Sequence, residues 1–226
     1  MKILSIIGTK GTGKTTLVTK LIKGLTNKGY KIGTIKHAHG RFDFPSKDTG
    51  RHRKAGAKIV IGAGKETFFL SPKEKNIKWI ISTIPIIEEI DFLIIEGFKK
   101  MEFANISTSI ENEFTIKKVD PFSLTDEEFN KLLQLIEKRT YGLLLGLNCG
   151  KCGFESCKEF AQAKIRGDAD DINCKSQFKK AMLRINGNPI PLNPFVQKIM
   201  SKTIKGMVES LQREETEINK IEIIIK

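Results

Sequence analysis

Cysteine is absent from the first 148 and the last 52 residues of this 226-residue chain; all four lie between 149 and 174. In a chain read as cytoplasmic, four cysteines in one window are not a disulfide scaffold, and independent core cysteines would scatter, so a metal site confined to that window is expected. No run approaches the ~18 consecutive apolar residues that cross a bilayer. No signal pattern precedes the opening strand-like run, and a cytoplasmic protein with no membrane partner is expected. There is no arginine-rich tail, no basic segment interleaved with aromatics and no internal repeat, so nucleic acid is not the expected partner. Acidic residues are outnumbered, 26 Asp and Glu against 39 Lys and Arg, for a net charge of +13. That balance suits an anionic ligand, and a solvated lysine-rich surface gives the same number.

What the chain does have begins at residue 8. Gly8-Thr9-Lys10-Gly11-Thr12-Gly13-Lys14-Thr15 reads G-x4-G-K-T, a phosphate-binding loop. The context fits, because the apolar run 2–7 has strand length and a helical pattern starts at Lys14-Thr15-Thr16-Leu17. The glycines let backbone N–H groups turn inward on a phosphate, and the helix N-terminus adds a fixed positive field. Lys14 is then the cation for the β- and γ-phosphates, and the Thr15 hydroxyl is a Mg²⁺ ligand.

Further buried strands are expected at 31–36 and 91–95, and two short ones within 58–70 around a turn at Gly62-Ala63-Gly64. Residues 114–119 are also strand-like. Helical patterns cover 14–28, a stretch near 73–83, and 126–138, where Thr125 and Glu128 form a capping box. Alternating strands and helices predict an α/β fold: a P-loop NTPase with a mostly parallel sheet. The domains expected are 1–140 (nucleotide-binding), 141–180 (a small Cys-rich module) and 181–226 (a C-terminal α+β segment). In the last, Asn186-Gly187-Asn188 signals a turn. Phe195, Ile199, Thr203, Met207 and Leu211 recur at helical spacing, and Ile221, Ile223 and Ile225 alternate as a strand would.

The strand 91–95 runs into Glu96, a carboxylate placed to hold Mg²⁺ or orient water. All three histidines, His37, His39 and His52, fall in one basic segment with Arg51 and Arg53, beside Asp48. Arginine forks there suit an anionic second substrate, whereas His37-x-His39 with His52 suits a transition metal. A third possibility is a solvated basic loop. Base choice is weakly encoded. Asn130-Lys131-Leu132-Leu133 lacks the acid that a guanine-reading pattern needs, and Asp120 before Pro121 reads first as a turn residue.

Together, Gly8 through Leu17, Lys36-His37-Ala38-His39, Lys47-Asp48-Thr49, Arg51-His52-Arg53-Lys54-Ala55-Gly56-Ala57 and Glu96-Gly97-Phe98-Lys99 resemble the MobB family, adaptor proteins of molybdopterin-guanine dinucleotide biosynthesis. The resemblance implies GTP and Mg²⁺ as ligands, slow GTP hydrolysis at most, and a homodimer. It implies as partners a molybdopterin nucleotidyltransferase with its pterin, and through them molybdo- or tungsto-enzyme apoproteins. It makes Lys14 and Thr15 the GTP and Mg²⁺ residues, with Gly8 to Thr16 cradling phosphate. It sets Asp48 and Glu96 near metal and water, and lines the nucleotide or pterin-phosphate side with Arg51, His52 and Arg53.

Cys149, Cys152, Cys157 and Cys174 are spaced C-x2-C-x4-C-x16-C, leaving zinc or an iron–sulfur cluster open. Structural zinc commonly uses two C-x2-C pairs, and one is present. Gly150 and Gly153 leave the first loop bare, and Ser156 is placed to cap a helix over 157–166 with Cys157 in its first turn. Cys149 to Cys157, with Phe160-Ala161, Gly167 and Cys174, resembles the small 4Fe–4S domain of corrinoid iron–sulfur proteins and membrane electron-transport subunits, which implies a [4Fe–4S] cluster. The reading is therefore a GTP-binding accessory protein of molybdenum or tungsten cofactor synthesis with a cluster. A GTP-driven metal-insertion chaperone using His37, His39 and His52, and an electron carrier, are the alternatives.

Overall fold

The computed structural model describes residues 1–38, 48–71, 73–177, 181–212 and 217–225. In chain order the elements begin with β1 (Lys2–Ile7), α1 (Lys14–Asn27), β2 (Ile32–Lys36), α2 (Asp48–Lys54), β3 (Val60–Ala63), β4 (Thr67–Leu70), α3 (Ile77–Ile87) and β5 (Phe92–Glu96). They continue with β6 (Asn105–Ser107), β7 (Thr115–Lys118), α4 (Asp126–Arg139), α5 (Cys157–Arg166), β8 (Leu183–Ile185), β9 (Asn188–Ile190) and α6 (Pro194–Glu209).

β1 and β5 are apolar on both faces, which a strand tolerates in the middle of a parallel sheet covered on both sides. They sit there: the sheet order is β2-β5-β1-β6-β7 and every pairing is parallel. Alternate residues face opposite layers. Leu4, Ile6, Phe92 and Ile94 pack under α1 and α4, through Leu17, Leu21, Leu25, Leu132 and Ile136. Ile3, Leu93 and Ile95 pack under α3, through Ile77 and Ile81. The capping box of α4 is present as read, with Thr125 and Glu128 bonded reciprocally.

The Cys-rich module closes the other end of the sheet. Ile3 N–H donates to Tyr141 O at 2.8 Å, and Tyr141, Phe160, Ala161 and Ile165 pack with Ala104 and Phe114, which immediately precede β6 and β7. The module therefore lies at the amino edge, while the phosphate loop lies at the carboxyl edge. A six-residue strand at ~3.3 Å per residue separates them by roughly 20 Å. Lys164 locks the junction, its Nζ donating at 2.8 Å to both Lys138 O and Asp170 O, and Arg139 donates to Ile165 O at 3.1 Å.

Four local expectations shift. The β3–β4 hairpin turns at residues 64–66, because Gly62 and Ala63 pair with Phe68 and Thr67 inside the ladder. α3 starts at 77 instead of 73, since Asn76 caps it by accepting from Trp79 N at 2.7 Å. The 105–107 segment, not read as a strand, is β6. Residues 221–225 form no strand: alternation needs a partner edge, and Ile223, Ile224 and Ile225 stay exposed. α6 exists at the expected spacing, but Phe195, Ile199 and Met207 are exposed along it, and Leu211 is exposed just beyond its end.

Candidate functional site

The chain leaves β1 through Gly8 and enters α1 at Lys14, so the loop stands over the carboxyl end of the sheet. Gly13, with φ of 77°, caps α1 in the left-handed region, where glycine carries no Cβ penalty. Gly8 is required for a different reason. A Cβ there would lie 2.1 Å from Thr108 Oγ1 and 2.9 Å from Thr12 Oγ1. Thr108 and Ser109 follow β6 and brace the loop from the side: Thr9 N–H donates to Ser109 Oγ at 2.8 Å, and the Thr12 and Thr108 hydroxyls bond at 2.6 Å. These two braces come from about a hundred residues away and carry no motif. Lys14 Nζ donates to Thr9 O, folded back across the loop it would serve.

Beside the loop, Thr15 Oγ1 stands 3.1 Å from both Glu96 oxygens. The pairing follows from register: β5 runs parallel to β1, so Glu96 ends opposite Ile6. Lys36, at the end of β2, reaches Glu96 Oε1 at 3.3 Å. A hydroxyl and a carboxylate meeting next to a bare phosphate loop is the donor chemistry that Mg²⁺ takes, directly or through water. The cavity here measures about 360 Å³ and is lined by Lys10, Gly11, Gly13, Lys14, Thr15, Thr16, Glu96 and Phe122.

The histidine and arginine segment stands apart from that cavity. Asp48, Arg51, His52 and Arg53 lie on α2, which packs next to β3, and Asp48 and Arg51 pair with each other at 3.9 Å on the surface. None of the four lines the cavity. His37 leaves β2 with its ring stacked on Phe98 at 4.4 Å, and His39 lies outside the described residues. Asp120 is a turn residue, its carboxylate accepting from Phe122 N–H and Ser123 Oγ at 3.0 Å each.

At the amino edge, Ser156 caps α5 by accepting from Glu159 N, and Asn148 Oδ1 accepts from Cys157 N at 2.9 Å. The first cysteine loop bends through left-handed Asn148, Gly150 and Gly153, and no atom lies within 4 Å of where a Cβ on either glycine would stand. Leu143, Leu144, Leu145 and Leu147 wall the space beside Cys157 and Cys174. Burial pushes the Cys174 thiol above its ordinary value, and Cys157, Cys152 and Cys149 push it the same way. The Ser176 hydroxyl, 3.2 Å from Cys149 Sγ, holds that thiol below its ordinary value. Among the described residues no three His, Cys, Asp or Glu side chains are placed to hold a single ion. By donor chemistry the module still suits an iron–sulfur cluster: four free cysteines, an apolar wall beside Cys157 and Cys174, and glycine loops with open space around them.

Fold and site define the class: a phosphate-loop α/β protein with a four-cysteine module at the far edge of its sheet. A family model, "Molybdopterin guanine dinucleotide synthesis protein B" (MobB), matches residues 3–121. A second, "Putative Fe-S cluster", matches residues 144–176. A "Putative molybdopterin-guanine dinucleotide biosynthesis adapter protein" of Methanocaldococcus jannaschii is 33% identical over 228 residues, spanning 94% of this chain and 92% of that protein. The molybdopterin-guanine dinucleotide biosynthesis adapter protein of Escherichia coli is 36% identical over 111 residues, 46% of this chain and 63% of that one. The crystal structure of Bacillus subtilis MobB aligns at 24% identity and a TM-score of 0.43, over 53% of this chain and 77% of that one. The chain belongs to the MobB family. No helix among the described residues is long and apolar enough to cross a membrane.

Proposed function

We propose that this protein is a GTP-binding adapter for the attachment of GMP to molybdopterin, carrying a [4Fe–4S] cluster in its second module. The observation that carries the nucleotide half is Thr15 meeting Glu96 at 3.1 Å beside the phosphate loop. Backbone N–H groups of Gly8 to Thr16 hold the phosphates, Lys14 swings from Thr9 O onto the β- and γ-phosphates, and Thr15 and Glu96 hold Mg²⁺. Asp48, Arg51, His52 and Arg53 face the second anionic ligand, the pterin phosphate or a nucleotide on the transferase, when α2 is drawn over the site. The loop supplies no strong base, so the protein acts as a slow switch.

The chain divides into a nucleotide unit at 1–140, a cluster module at 141–180 and a C-terminal segment at 181–226. Cys149, Cys152, Cys157 and Cys174 hold the cluster, which when bound supplies one-electron redox chemistry or structural cross-linking. The carboxyl-edge and amino-edge sites lie too far apart for direct contact, so the cluster acts on the adapter's docking or stability, not on the triphosphate. The β3–β4 hairpin, with Ile59, Ile61 and Phe69 exposed, supports a homodimer as the working unit. The test is reconstitution. Pterin, Mg·GTP and the nucleotidyltransferase are combined with and without this chain, and dinucleotide formation is followed. Stimulation lost on Lys14→Ala supports the reading; equal rates with and without the chain refute it.

A further inference from the structure

The cavity at the phosphate loop has two unlike ends, set by strand order. β5 flanks β1 on one side and brings Glu96; β6 and then β7 flank it on the other. The chain leaving β7 brings Phe122 to the far wall of the same cavity. Phe122 is 71% exposed, yet the segment carrying it is pinned. Asp120 accepts from Phe122 N–H and Ser123 Oγ, and Lys20 of α1 donates to Pro121 O at 2.9 Å. Ring carbons of Phe122 lie 2.9 and 3.0 Å from where a Cβ on Gly13 would stand, so the ring rests against the bare loop. An aromatic side chain held in place but left open to solvent, at the mouth of a phosphate site, presents a free π-face.

We infer that Phe122 is the nucleobase platform of the site: the purine of a bound nucleoside triphosphate stacks on its ring. This rests on the nucleotide reading above and adds to it the end of the cavity that receives the base. With the metal end at Thr15 and Glu96, the triphosphate runs across the loop from β5 towards β7 and delivers its nucleoside to the ring. Asp120 is a positioning residue, since both of its oxygens serve the turn that carries Phe122. Stacking accepts any purine face, so this platform adds affinity without choosing guanine over adenine. The matched family region ends at residue 121, one short of the ring.

The test separates base from phosphate. The full chain, purified anaerobically, is titrated calorimetrically with Mg·GTP and with Mg·tripolyphosphate, which has no base. Phe122→Ala is expected to weaken Mg·GTP about 5- to 150-fold, the range for loss of one base–aromatic stack, and to leave tripolyphosphate unchanged. Phe122→Trp is expected to restore Mg·GTP. Unchanged Mg·GTP affinity in Phe122→Ala overturns the inference. So does an equal loss for both ligands, which makes the ring a prop for the loop. Wild-type protein that binds neither ligand overturns the nucleotide reading itself and this inference with it.

Discussion

Replacing Lys164 by Met tests how the two modules are held together. The side chain is only 2% exposed, and its ammonium donates to Lys138 O, at the end of α4, and to Asp170 O. Met keeps most of the apolar stem and removes the charge. Two hydrogen bonds from a charged donor are worth ~1.5–3 kcal/mol each, or ~3–6 kcal/mol gross. Removing a buried ammonium also recovers its desolvation, which takes back several kcal/mol. The net loss expected is ~1–3 kcal/mol. Burial and the neighbouring Lys2 hold the Lys164 pKa below its ordinary 10.5. Between the lowered folded value and 10.5 the unfolded chain binds the extra proton, so the wild type gains stability relative to Lys164→Met as pH rises through that window. Urea unfolding of both proteins at neutral pH and near pH 10, followed by Trp79 fluorescence and circular dichroism, measures both effects. A difference under ~0.5 kcal/mol at neutral pH, or one that shrinks as pH rises, would refute the reasoning.

Thr125→Ala removes the hydroxyl's half of the capping box of α4, leaving the Thr125 N–H bond to Glu128, and is expected to cost ~1 kcal/mol by thermal or urea unfolding. Bonds from Thr125 hold the Glu128 carboxyl below its ordinary 4.5, so its contribution is full above that value and lost as pH falls through the lower folded one. The variant should therefore show a flatter acid limb than the wild type. Gly8→Ala drives a Cβ to 2.1 Å from Thr108 Oγ1 and should cost ~1–3 kcal/mol and displace the loop, read as lost Mg·GTP binding by calorimetry. Protein purified anaerobically should carry iron and acid-labile sulfide in equal amounts, both lost in Cys152→Ser. Zinc without sulfide would contradict the cluster assignment.

Much of the local architecture was legible because it is written in short range. The strand before Gly8, the helix after Lys14, the Thr125–Glu128 box and the Ser156 cap each need a few consecutive residues, and each stands where the spacing put it. Glu96 beside Thr15 was legible too, since a buried strand ending in an acid has few places in a parallel sheet. What was not legible depends on partners distant in sequence. Thr108 and Ser109 brace the loop only because β6 lies beside β1. Phe122 carries no signal of its own in the sequence, and only the sheet order brings it to the loop. The alternation of Ile221, Ile223 and Ile225 is a strand signal with no edge to join among the described residues. Nor does chain order say at which edge of the sheet the cysteine module sits; Tyr141 pairs with Ile3 at the start of β1 and carries it to the amino edge.

The central claim is a guanine nucleotide held by the Gly8–Thr15 loop, and an equilibrium titration tests it most directly. Mg·GTP and Mg·ATP are titrated into the anaerobically purified wild type and into Lys14→Ala. One Mg·GTP per chain, bound more tightly than Mg·ATP and weakened at least ~10-fold by loss of the Lys14 ammonium, is the predicted result. No saturable binding, or the same affinity in Lys14→Ala, would contradict it.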